Sequence, residues 1–246
     1  IKTNDRVGSS YCFSGPMGSG KEYAAIEFGK LLNCEKFDKI PCNKCSSCFK
    51  FKSLQHPNIK IIVPLPSSAK SKKGSGPLDG LKQEELELLT SSIINKGKDP
   101  FYKINIPNAR RITISSIRDL RRNIYLKSQT SGRKVILIFD AHLLSEGAGE
   151  SANALLKILE EPNENINFIL INNNKKILST LKSRCLNFKI SLTYNQSIDI
   201  TNTILNENIN NILNKELINH YITPGYLLKL IEFKNTHNLD LKNLNL

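Results

Sequence analysis

No stretch of the 246 residues approaches the roughly 18 consecutive apolar positions that a membrane-spanning helix requires, so such a helix is excluded. Internal repeats are absent as well, which excludes a solenoid or propeller. Acidic residues are in short supply: 22 stand against 35 Lys and Arg, giving a formal net charge of +13 and a pI near 9.5. The shortage is sharpest at 110–134, where Arg110, Arg111, Arg118, Arg121, Arg122, Lys127, Arg133 and Lys134 face Asp119 alone. A polyanionic partner is the natural reading of that stretch, with a solvated basic face as the plainer one. What is present in quantity, 39% hydrophobic residues at a mean hydropathy of −0.29, suits a globular chain of one large domain or two modest ones. The chain begins at Ile1 and enters a strand almost at once, so it reads as a fragment whose natural start, and any targeting signal, lies upstream.

Residues 13–22, Phe-Ser-Gly-Pro-Met-Gly-Ser-Gly-Lys-Glu, form a phosphate-binding loop that lacks its hydroxyl residue. Gly15, Gly20 and Lys21 satisfy the pattern, and Gly18 lies in the same glycine-rich turn. Such glycines let backbone N–H groups close around phosphates at a helix N-terminus, while the lysine adds a point charge. Glu22, however, stands where Ser or Thr would hold Mg²⁺. Two like charges about 4 Å apart repel by roughly 4 kcal/mol at a surface-like dielectric, so a carboxylate there opposes a triphosphate unless a cation intervenes. Lys21 is then either a nucleotide contact or a vestige that holds the loop through backbone carbonyls or Asp140.

Strand signals end at 11–13 and recur at 58–63, 134–139, 167–171 and 186–190. Helical patterns fall at 21–32, 82–95 (with Leu86 and Leu89 inward), 115–127 and 150–159. In the third of these Ile117, Leu120 and Ile124 face the core, with Ser115 or Ser116 as the cap. Strands alternating with helices predict an α/β fold with a parallel sheet. The stretch 64–108 reads as an insertion, with a mobile, low-complexity loop at 67–77. From 191 onward the pattern is helical and Asn-rich. The expected domains are therefore a P-loop α/β domain at 1–190 and a small all-α domain at 191–246. His142 and Tyr125 are expected to be structural, the tyrosine packed or half-exposed, and Cys12 to be core.

Cys34, Cys42, Cys45 and Cys48 form a C-x7-C-x2-C-x2-C array. Four soft thiolates with two-residue spacers can converge on one tetrahedral Zn²⁺, and a closed four-thiolate site stabilises without catalysing. Disulfides and an iron–sulfur cluster are the competing uses of such an array.

The order of P-loop, cysteine module at about 33–50, Ser-Ala-Asn-Ala-Leu-Leu-Lys-Ile-Leu-Glu-Glu-Pro at 151–162 and Ser-Arg-Cys at 183–185 resembles bacterial clamp-loader subunits of DNA polymerase III. The likeness spans essentially the whole chain apart from the longer 64–108 stretch. It implies an AAA+ P-loop domain with an inserted zinc module, a helical lid, and a collar domain beyond the end of this chain. Of the two types in that family, the ATP-hydrolysing gamma/tau type carries a P-loop Thr or Ser, an Asp-Glu pair, a sensor Thr and a lid arginine after Gly. Here the corresponding positions are Glu22, Phe139 with Asp140, Asn172, and Thr223-Pro224-Gly225-Tyr226. All four departures weaken hydrolysis, so the chain resembles the delta-prime type, and tight Mg²⁺–ATP binding is not implied. By itself, an arginine at a strand start is a surface salt bridge. The resemblance instead makes Arg184 a finger given in trans to ATP on a neighbouring subunit. It further implies a hetero-oligomer with gamma/tau and delta, a sliding clamp and primed DNA as partners, and a cytoplasmic, membrane-free setting. Arg118, Arg121 and Arg122 would meet DNA phosphates or a neighbouring subunit. The rivals are a divergent gamma/tau-like ATPase and a zinc-containing nucleic-acid-binding protein outside any clamp loader.

Overall fold

The computed structural model describes residues 7–36, 40–66, 76–126, 130–162, 164–220 and 222–242. Uninterrupted apolar runs become the inner strands of one sheet. These are β3 (Lys134–Ile138) and β4 (Ile166–Asn172), the latter buried along its whole length. β1 (Ser10–Ser14) pairs with β4 in parallel, aligning Tyr11 with Ile169, and β2 (Ile59–Ile62) pairs with β3 in parallel, aligning Ile59 with Val135. β5 (Leu186–Lys189) lies at the edge with all four residues exposed, and the strand order is β2-β3-β4-β1-β5. Strands covered on both faces need no polar alternation, whereas short edge strands do without burial.

The helices fall close to the sequence periodicity: α1 (Lys21–Asn33), α2 (Ser46–Lys52), α3 (Gln83–Lys98), α4 (Ile114–Asn123), α5 (Glu150–Glu160) and α6 (Ser179–Ser183). Ile117, Leu120 and Ile124 of the α4 segment bury against Leu155 and Ile158 of α5 and against Ile136, Phe168 and Leu170 of the sheet. Each such side chain contributes about 1.5–3 kcal/mol on leaving water. The cap of α4 is Thr113, whose hydroxyl accepts from Ser116 N–H, not Ser115 or Ser116 as expected. The two serines crowd the helix start in sequence, but Thr113 holds the extended backbone that a cap requires.

The stretch 64–108, expected as an insertion, contributes side chains to the interior. Its expected low-complexity loop falls largely outside the described residues, but Leu65, Leu89, Lys96, Ile104 and Ile106 are all buried. Leu89 is buried as expected and Leu86 half-buried.

The chain divides into two compact units. One is Ile1–Ser14 with Glu22–Phe188, and the other is Gly15–Lys21 with Lys189–Leu246. The second unit holds α7 (Tyr194–Leu205), α8 (Lys215–His220) and α9 (Pro224–Thr236) around Ile209, Leu213, Ile218, Leu227 and Ile231. A reciprocal cap between Thr193 and Gln196 starts α7.

Candidate functional site

The glycine-rich loop 15–21 is shaped by close approaches that exclude side chains. A Cβ on Gly15 would lie 2.2 Å from the Ile190 carbonyl oxygen, and Gly18 has a φ of +77°. The loop is bonded to the start of α9. Thr223 Oγ1 donates to the Met17 carbonyl at 2.9 Å, and Gly225 N–H donates to the Gly18 carbonyl at 3.0 Å. Gly20 also has positive φ, at 80°. Lys21 is buried and its Nζ donates to the Pro16 carbonyl at 3.0 Å, which is one of the two holding roles the sequence suggested.

Glu22 opens the sheet-bearing unit's share of α1, and its carboxylate meets cations of the same chain. Lys96 Nζ lies 2.6 Å from Oε2 and Lys103 Nζ lies 3.2 Å from Oε1. Lys103 also reaches Asp140 Oδ2 at 2.6 Å, while Asn173 Nδ2 donates to Asp140 Oδ1 at 2.6 Å. Burial works against charge on Glu22, but the ammonium groups of Lys96 and Lys103 outweigh it and hold the carboxyl below its ordinary range. Burial likewise opposes charge on Lys103, and Glu22 and Asp140 overcome it, raising that pKa. Asp140 sits in a left-handed backbone conformation just beyond β3, at φ 50° and ψ 46°. All four carboxylate oxygens are thus engaged, so Glu22 and Asp140 as arranged do not fit a divalent ion held between them.

The remaining predicted positions are placed as follows. Phe139 is buried, its N–H donating to the Ile62 carbonyl at 2.9 Å. Asn172 ends β4, its Nδ2 donating to the Lys175 carbonyl at 2.6 Å while its buried Oδ1 has no partner among the described residues. His142 is buried behind Asp140, and burial lowers its pKa. Arg184 follows α6 and lies against Glu160 of α5, Nη2 to Oε1 at 2.7 Å, with Nη1 donating to the Thr180 carbonyl.

The four array cysteines gather their sulfurs within 4.8 Å of one another. Cys42 and Cys48 sulfurs are 3.9 Å apart, close to the roughly 3.8 Å edge of a tetrahedron with Zn–S of about 2.3 Å. Backbone N–H groups point at the sulfurs: Cys42 N–H at Cys34 Sγ, 3.3 Å, and Cys48 N–H at Cys45 Sγ, 3.4 Å. The N–H of Lys44 leads in holding the Cys42 thiol down to about 6, whereas burial pushes Cys48 up to about 12. The donor set therefore fits a soft tetrahedral ion, and none of the six cysteines is bridged. The module is tied to the sheet through Ser47, whose Oγ donates to the Asn33 carbonyl at 2.8 Å and meets His56 Nε2 at 3.0 Å. Asn58 then binds Asn33 Oδ1 and the Ser131 carbonyl.

On α4, Arg118, Arg121 and Arg122 are exposed. Asp119 gathers Lys60 at 3.1 Å, Arg122 at 3.9 Å and Asn123 at 2.8 Å. Tyr125 is 58% exposed, the half-exposed of the two expected placements, because the helix ends at Asn123 and leaves it beyond the buried stripe. Lys127 lies outside the described residues.

Sequence reasoning missed Lys96 and Lys103. The available signal was Lys96 itself, which continues the stripe of Leu89 and Ser92 along α3 into the interior.

The family described as DNA polymerase III, delta subunit, matches residues 1–193. DNA polymerase III subunit gamma of Buchnera aphidicola subsp. Schizaphis graminum is 30% identical over 246 residues, covering 98% of this chain and 55% of that relative. Two Bacillus subtilis proteins are also similar. DNA polymerase III subunit tau is 31% identical over 191 residues, covering 77% of this chain and 26% of the relative. Subunit delta' is 26% identical over 184 residues, covering 74% and 41%. The chain thus spans about half or less of the length of these relatives. A solved structure of a DNA polymerase III gamma subunit-related protein from Thermotoga maritima superposes with a TM-score of 0.50 at 16% identity, covering 94% of this chain and 57% of that one. At that identity the likeness concerns the fold.

Proposed function

This chain belongs to the clamp-loader AAA+ family of DNA polymerase III, and we propose that within it the chain is a delta-prime-like subunit that hydrolyses no ATP itself. One observation carries this assignment: Glu22, at the position where hydrolysing relatives need a free hydroxyl for Mg²⁺, gives both carboxylate oxygens to Lys96 and Lys103. The buried Phe139 in place of an acid, and the lack of an arginine after Gly225, support the same assignment.

Arg184 is the working residue in this scheme. Its guanidinium lies at the surface against Glu160 and exchanges that single carboxylate for the more highly charged triphosphate of a neighbouring ATPase subunit. A planar fork of donors matches phosphoryl oxygens better than an ammonium does. Zn²⁺ held by Cys34, Cys42, Cys45 and Cys48 would supply rigidity and no chemistry, because a closed thiolate shell leaves no position for substrate. The partners are gamma/tau and delta subunits, a sliding clamp and primed DNA, in the cytoplasm. Arg118, Arg121 and Arg122 face either DNA phosphates or a neighbouring subunit, in a contact that weakens steeply with salt.

The test is a reconstituted clamp loader containing the full-length subunit. Arg184→Ala is expected to lower turnover at the neighbouring ATP site by about 10³-fold while size-exclusion chromatography shows assembly unchanged. The isolated wild-type chain is expected to show no Mg²⁺-dependent turnover. The similarity to gamma and tau relatives favours a second reading, a divergent ATPase. Turnover by the isolated chain that disappears on Lys21→Ala would select that second reading.

A further inference from the structure

Lys96 and Lys103 both come from the stretch 64–108, which the assignment above leaves without a role. Lys96 is essentially inaccessible, and its three protons are all used: on Glu22 Oε2 at 2.6 Å, on the Pro100 carbonyl at 2.7 Å and on the Tyr102 carbonyl at 2.8 Å. Lys103 bridges Glu22 and Asp140 at 3.2 and 2.6 Å. Asn173 fills the last carboxylate oxygen. The four formal charges cancel, and the two ammonium groups together carry the +2 of one divalent ion. Isolated charges this deep are not tolerated, so the pairing fixes the positions of all four groups.

We propose that Lys96 and Lys103 are built-in counter-cations that take the place of a divalent metal ion between Glu22 and Asp140, closing this end of the sheet to Mg²⁺ and anchoring the stretch 64–108. An ammonium group attached to the chain cannot diffuse away, so it outcompetes a dissolved ion at any ordinary concentration. Its hydrogen bonds consume the oxygen lone pairs that a hard cation would need. It also supplies charge without Lewis acidity, so the site keeps its shape and lacks a metal's chemistry. The proposal rests on reading Glu22 and Asp140 as positions of a former nucleotide site. It needs neither the finger role of Arg184 nor the choice of subunit type.

The test uses Mn²⁺ as the probe, followed by electron paramagnetic resonance and by the thermal midpoint of the purified chain. Wild type is expected to bind no Mn²⁺ at this site and to show no midpoint shift with added Mn²⁺. Lys96→Met/Lys103→Met is expected to take up one additional Mn²⁺ per chain, with a midpoint that rises on titration. Adding Glu22→Gln to that variant should abolish the gain. Lys103→Met alone keeps the Lys96–Glu22 pair and the Asn173–Asp140 bond. It should therefore fold and bind Mn²⁺ with a measurable affinity where wild type shows none, and it decides the matter if the double variant does not fold. Glu22-dependent Mn²⁺ uptake by wild type would overturn the proposal. So would folded lysine variants that bind no more Mn²⁺ than wild type. Arg184→Ala should leave every one of these readouts unmoved, so the proposal and the finger assignment can fail separately.

Discussion

The cysteine module and the cluster of Glu22, Asp140, Lys96 and Lys103 are both constellations of metal-type donors, and they are completed in opposite ways. The four sulfurs sit within 4.8 Å of each other, attended by backbone N–H groups from their own loop. The two carboxylates sit among ammonium groups brought from a distant part of the chain, and every oxygen already accepts. Donors that the chain surrounds only with dipoles call for an ion from outside, whereas donors matched by the chain's own cations do not. The same fold thus carries one site shaped for a metal and one filled by its own side chains.

The sharpest way to break this contrast is to remove one internal cation. Lys96→Met removes the shorter of Glu22's two ion pairs, leaving Lys103 alone, and should destabilise the chain by about 3 kcal/mol in urea unfolding. Pairing it with Glu22→Leu should recover at least about 2 kcal/mol, a coupling that a double-mutant cycle reads directly. Next in size is withdrawal of the ion from the cysteine module. One Zn²⁺ per chain is expected by elemental analysis, and excess chelator or Cys45→Ser should cost about 2 kcal/mol or more, a fall of roughly 4–8 °C in the melting midpoint. The charged cluster should not respond to chelator at all.

Acid and base should separate the two sites again. Glu22 has its pKa held below the ordinary carboxylate value of 4.5, so its contribution is complete above that value and is lost as pH falls through the lower folded value. Lys103 has its pKa raised above the ordinary 10.5, so its contribution is complete below 10.5 and is lost only as pH rises through the higher folded value. A stability plateau between those limits is therefore expected from the cluster, and Glu22→Gln should remove the acid limb. Thiolate ligands, by contrast, take up protons as the metal leaves, so ion release measured with a colorimetric chelator should increase with falling pH inside that plateau. The smallest effect belongs to the exposed charges of α4. Arg122→Ala should change stability by less than about 1 kcal/mol, because its contact with Asp119 at 3.9 Å is open to solvent.

The sequence made the sheet legible because buried parallel strands announce themselves as apolar runs, and 134–139 and 167–171 became β3 and β4 within a residue or two. The cysteine array was legible because two-residue spacers are a local property of the chain. Glu22 was legible as an anomaly, but its partners were not. Lys96 and Lys103 are 74 and 81 residues away, and a lysine near the end of an amphipathic helix ordinarily belongs to its solvated last turn. Its place on the stripe of Leu89 and Ser92 was the one local hint, and the folded path of α3 turns that end inward. The Arg184–Glu160 pair was hidden for a similar reason, since α5 and the turn after α6 meet only in the folded chain.

Every proton of Lys96 is spoken for, and this constrains how such a sequence can change. A single substitution at Glu22 strands the Lys96 ammonium group in the interior, and a single substitution at Lys96 leaves Glu22 with Lys103 alone. A path from this cluster to an ion-holding one therefore keeps Glu22 and Asp140, gives up Lys103 first and loses Lys96 only afterwards. In sequence space the cluster therefore opens in a set order. The partly exposed Lys103 yields its place to an ion by one mutation, and the interior Lys96 only after it.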